Sequence, residues 1–126
     1  MDMHETGRDT VRHSSSANRA VRSIVSLTTD KVMLAGEAVD LLGHLAALNG
    51  RLPQALDQVS QGLGRSLDDY QVFERDGEVS AVRTAAARRH LAHASELAEL
   101  LGLALADARS ELLQQAYVPP GFESGS

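Results

Sequence analysis

Cysteine is absent from this 126-residue chain, and so is tryptophan. The first absence excludes disulfides, thiolate metal sites, iron–sulfur ligation and cysteine nucleophiles. It does not decide the compartment. Aromatic residues make up only 3% of the chain. A core must therefore be built from Leu, Ala and Val, the usual filling of helix–helix seams rather than of sandwiches or barrels. Lys31 is the single lysine, and the remaining Lys/Arg positions are all arginine. With abundant Ala, Gly and Leu, that bias is an actinobacterial-like composition, as a GC-rich genome produces. No apolar run approaches the roughly 20 residues of a membrane span, so no membrane is expected among the partners. The first 20 residues hold no apolar segment. No signal peptide is expected from them, and the expected localisation is cytoplasmic. Gly-rich phosphate loops, dinucleotide fingerprints, Gly-x-Ser-x-Gly elbows and His-Glu-x-x-His motifs are all missing.

What is present suits one globular domain with a modest core: 43% hydrophobic and 23% charged residues. The net charge of −5 favours solubility and opposes nonspecific binding to DNA or anionic lipid. Residues 1–16 are polar, end in Ser14-Ser15-Ser16, and have almost nothing to bury; they read as a disordered arm. Residues 118–126, opening with Val118-Pro119-Pro120-Gly121, read as a flexible tail. The helical domain is expected over 17–117.

Three helical patterns fill that domain. In the first, about 17–49, Val21, Ile24, Ala35, Val39, Leu42 and Ala46 share one face at about 100° per residue. Asn49-Gly50 is placed to end it. Thr28-Thr29-Asp30 is an alternative start for a second, shorter helix; the unbroken phase of the stripe favours continuity. The second pattern, about 53–71, opens on Pro53, a good first-turn residue, and carries a narrow stripe of Leu56, Val59, Leu63 and Leu67. The third, about 78–117, follows a turn at Glu74–Gly77 and presents Leu97, Leu101, Leu105 and Leu112. The fold class is therefore all-α. Two long helices and one shorter one form an elongated antiparallel hairpin or bundle. The apolar arcs of the first and third helices are wider than one contact needs, so dimerisation is expected to complete it. The third helix runs from basic (Arg83, Arg88, Arg89) to acidic (Glu96, Glu99, Asp107, Glu111), against its own macrodipole. That gradient favours an antiparallel neighbour.

The stretch with most chemistry is Thr84–Gly102, where His90, His93, Glu96 and Glu99 recur every third residue. At that spacing they spiral around a helix instead of converging, and the Glu-x-x-His pairs of a di-metal bundle are missing. No metal, cofactor or catalytic residue is assigned. His90 instead falls in the apolar stripe. Expected interface residues are His90, Leu97, Leu101, Leu105, Val39 and Leu42. A histidine buried there would resist protonation, so association is expected to weaken as pH falls through about 6. His44 with Asp40 and Glu37 is an ordinary solvated i, i+4 grouping.

Arg83-x6-His90, with Thr84 after the arginine, resembles the Arg-plus-His signature of small helical ribonucleases of toxin–antitoxin systems. In size and helical-hairpin shape the chain also looks like the small proteins exported by type VII secretion. Their Trp-x-Gly turn is absent, and Tyr70–Glu74 supplies the Tyr-x-x-x-Asp/Glu spacing in mid-chain instead. Neither resemblance is adopted. The expected function is that of a non-enzymatic helical protein–protein interaction or regulatory module acting as a self-associating bundle. A homodimer and a protein partner are expected, with Tyr117, Pro119, Pro120 and Phe122 as a docking tail. The alternative is a small nucleic-acid-associated regulator using the N-terminal arm, which holds Arg8, Arg12, Arg19 and Arg22.

Overall fold

The computed structural model describes residues 3–69 and 80–115. Among them lie three helices and no strand: α1 (Met3–Thr28), α2 (Ala35–Asp69) and α3 (Ser80–Leu112). The chain divides into two compact units, Met1–Leu34 and Ala35–Ser126.

The first unit is a 26-residue helix, where the sequence predicted a disordered arm over 1–16. Nothing in 3–28 is a proline, and two of its serines bond back to carbonyls of the same helix. Ser14 Oγ donates to the Val11 carbonyl at 2.7 Å and Ser23 Oγ to the Arg19 carbonyl at 3.2 Å. Arg12 pairs with Asp9 one turn back.

The expected continuous helix over 17–49 is broken. Thr28 and Thr29 turn their hydroxyls onto the Ile24 and Val25 carbonyls, at 2.7 and 2.9 Å. Asp30 then takes φ 55°, a left-handed conformation that Asp tolerates better than most L residues. Helix resumes only at Ala35.

The second unit is a hairpin of α2 against α3. Three side-chain bonds show its antiparallel sense: Val39 meets Arg109, Asn49 meets Ala98, and Ser60 meets Arg88. Each step forward on α2 is a step back on α3. The expected helix end at Asn49-Gly50 and restart at Pro53 do not occur, because α2 is one helix of 35 residues with Pro53 inside it. The reason lies in the seam. Ala35, Val39, Leu42, Ala46, Asn49, Pro53, Leu56, Ser60, Leu63 and Leu67 alternate steps of four and three, with no phase change at Asn49. On α3 the same alternation runs Leu91, Ser95, Ala98, Gly102, Leu105, Arg109, Leu112. That is a coiled-coil heptad on both helices, and packing along it outweighs local stop signals. Pro53 still deprives the Asn49 carbonyl of its helical donor.

Long polar side chains cross this seam where the other helix offers glycine. Arg88 lies over Gly64, its Nη1 2.8 Å from where a Cβ would stand. Arg109 lies over Gly43, its Nε 3.2 Å from the corresponding point. Asn49 is 4% exposed and approaches Gly102. The apolar core is thin: Ala35, Val39 and Ala98 are the buried hydrophobic residues among those described.

Candidate interaction surface

The hairpin leaves one apolar side uncovered. In an antiparallel pair, the residues that follow the seam by three and those that precede it by one come to the same side of both helices. On α2 these are Leu45, Leu52 and Val59 with Leu41, Leu48 and Ala55. On α3 they are Ala94, Leu101 and Ala108 with His90, Leu97 and Ala104. Leu52 is 40% exposed, Val59 50%, Leu97 52% and Leu101 51%. Leu48, His90, Ala104 and Ala108 are exposed as well. The opposite side carries Gln54, Asp57, Gln61, Asp68, Glu96, Glu99 and Ser110, with Val82, Leu103 and Leu113 exposed among them. The contrast between the two sides is drawn mainly by α2, since α3 exposes leucines on both.

The expected interface residues divide between two surfaces. Val39 is buried in the seam, and Leu42 and Leu105 are half-buried there, all three facing the chain's own second helix. His90, Leu97 and Leu101 stand together on the exposed side. The docking-tail residues Tyr117, Pro119, Pro120 and Phe122 lie outside the described residues, as do Tyr70 and Glu74. His93 Nδ1 stands 4.0 Å from Glu96 Oε2, both side chains open to solvent. His44 is exposed. Among the described residues, no group of three or more His, Cys, Asp or Glu is placed to hold a metal ion. None of the described helices is long and apolar enough to cross a membrane.

No family model, curated protein or solved structure matches this chain. Its own geometry must carry the functional argument.

Two depressions, each about 430 Å³, flank the seam on the opposite side. One lies at the open end of the hairpin, between Ala35, Val39 and Asp40 on α2 and Leu112 and Leu113 on α3. The other is formed by Ser60, Ala85, Arg88, Arg89 and Ala92. There Arg88 Nε donates to Ser60 Oγ at 3.0 Å. Arg109 Nε likewise donates to the Val39 carbonyl at 3.1 Å. Both arginines are thus committed to holding the hairpin together. Reading α3 for its basic cluster missed that role. Arg88 and Arg109 are three heptads apart, as are Gly43 and Gly64 facing them, and that recurrence is the signal for it.

On α1, Arg8, Arg12, Arg19 and Arg22 follow steps of four, seven and three, so they line one side of the helix. All four are exposed. Ser15 and Ser26 fall in the same row, and Ala17, Val21 and Ile24 on the far side.

Proposed function

We propose that this protein is a non-enzymatic helical interaction or regulatory module, which works by burying the apolar side of its hairpin against other helices. The observation that carries this reading is the exposure of Leu52, Val59, Leu97 and Leu101 on one side of a hairpin whose own core is thin. Covering such a side removes apolar area from water at about 25 cal/mol per Å². Contiguous exposed patches of this kind mark interaction sites. Self-association is the simplest way to bury it. Cytoplasmic residence, and a second contact through the tail holding Tyr117, Pro119, Pro120 and Phe122, belong to the same proposal.

The test is affinity capture from the native host, comparing the natural chain with a Leu52→Glu/Leu97→Glu variant whose helicity is checked by circular dichroism. Partners lost by the helical variant support the reading; identical capture by both chains defeats it. Deleting residues 117–126 should also weaken capture without melting the helices.

A second reading is favoured by the arginine row on α1: contact with a nucleic-acid backbone. Four guanidinium groups on one helix side are suited to phosphates, and arginine binds them in a planar fork. Deleting residues 1–28 should abolish a gel shift seen at low salt. A shift that survives the deletion, or no shift with the full chain, counts against it.

A further inference from the structure

The column of α3 that borders the apolar side reads Arg83, His90, Leu97, Ala104, Glu111, each seven residues from the next. It begins cationic, passes through an apolar centre, and ends anionic. Resting on the interaction reading above, we infer that a second copy of this chain covers the apolar side, with its hairpin reversed, so that α3 lies antiparallel on α3 about Leu97.

The geometry of a two-fold axis carries this. Two hairpins can face each other with their turns at the same end or at opposite ends. With turns at opposite ends, the axis runs across the helices, and each helix packs on its own counterpart in reverse. A residue some distance before Leu97 then meets the residue that far after it. Arg83 of one copy comes to Glu111 of the other, His90 comes to Ala104, and Leu97 meets itself. On α2 the same operation centred on Leu52 sets Leu45 against Val59, both apolar. With turns at the same end, α2 faces α3 of the other copy. The apolar-side positions of α2 level with Arg83 and Glu111 are then Gly62, Ser66 and Ala38, none of them charged. The reversed arrangement joins opposite charges across the interface; the other does not.

Alternative occupants fit less well. α1 holds most of its apolar side chains between Val21 and Leu27, and before Ala17 the sequence supplies only Met3 and Val11. Such a stripe is too short to match a side that runs from Leu41 to Val59. A second hairpin supplies a matching length and completes a four-helix bundle with left-handed coiled-coil packing.

The full chain should sediment as a dimer. Leu52→Glu/Leu97→Glu should make it monomeric with helicity retained. Leu103→Glu, on the opposite side, should leave the dimer intact. Arg83→Glu should weaken the dimer on the order of tenfold at low salt, because the two-fold axis repeats the change. Adding Glu111→Arg to it should restore the affinity. Within one chain these positions are about 42 Å apart along α3, so rescue can act only between copies. A monomer at every concentration overturns the inference. If capture of other proteins still depends on Leu52 and Leu97, the interaction reading survives without it. A dimer indifferent to Leu52→Glu/Leu97→Glu overturns the assigned side. A dimer that the charge swap fails to restore overturns the reversed orientation.

Discussion

At the scale of single residues, Asn49 is the side chain whose environment is least resolved energetically. Its Nδ2 donates to the Ala98 carbonyl at 2.6 Å, while its Oδ1 is buried with no partner. A buried acceptor left unmade costs about 1–3 kcal/mol. Asn49→Leu removes donor and orphan acceptor together, at similar volume, and the Ala98 carbonyl keeps its helical bond. The hairpin should therefore become more stable, by about 1 kcal/mol, read as a higher urea midpoint at unchanged slope. A lower midpoint would mean that the Asn49–Ala98 bond contributes more than the orphan costs. Polar residues at heptad seam positions also fix register and oligomer state. The same variant should then populate more than one assembly, and a mixed sedimentation profile is the sign to look for.

At the scale of elements, α2 shows where local signals and packing disagree. Asn49-Gly50 and Pro53 are genuine stop and start signals, and a reading that weighs them alone divides the helix there. The division fails because the alternation of four and three continues through Asn49, Pro53 and Ser60, three seam positions that are not aliphatic. Counting only aliphatic residues hides the repeat. The break at 28–34 was legible as an alternative in Thr28-Thr29-Asp30. The unbroken apolar phase argued against it, since periodicity records no backbone turn. α3 was legible almost whole, lacking internal proline and carrying long Ala/Leu runs. Of the six expected interface residues, the structure sets His90, Leu97 and Leu101 on an exposed side, whereas Val39, Leu42 and Leu105 serve the intramolecular seam. One-dimensional periodicity cannot tell those two surfaces apart. The cost of the retained proline can be measured. Pro53→Ala returns a donor to the Asn49 carbonyl and relieves the ring's clash with it, worth about 3 kcal/mol in a helix interior. Against that stands the packing of a half-buried ring. A net gain on the order of 2 kcal/mol in unfolding free energy is expected. No gain would show that Pro53 sits in a bend the seam requires.

At the scale of the whole molecule, two surfaces of different physics occur in one chain, and salt should separate them. The apolar side of the hairpin is flanked by few charges, and exposed pairs such as Arg83 with Glu111 of a second copy contribute at most about 1 kcal/mol each. Raising salt screens those pairs and leaves apolar burial intact. Dimer affinity should therefore change by only a few-fold between 50 and 500 mM NaCl, values chosen to span about a threefold change in Debye length. The arginine row of α1 behaves otherwise if it contacts a duplex. Each phosphate neutralised releases counterions, and the slope of log K against log salt is about −0.9 per contact. Arg8, Arg12, Arg19 and Arg22 would give a slope near −3.6 at most, with Arg12 contributing less because Asp9 already pairs with it. Arg12→Ala should consequently leave the slope less changed than Arg19→Ala. Equal losses from the two variants would show that the Asp9 pair opens on binding. A flat salt response of nucleic-acid binding would remove the backbone-contact reading altogether and leave the hairpin's apolar side as the surface that defines this protein.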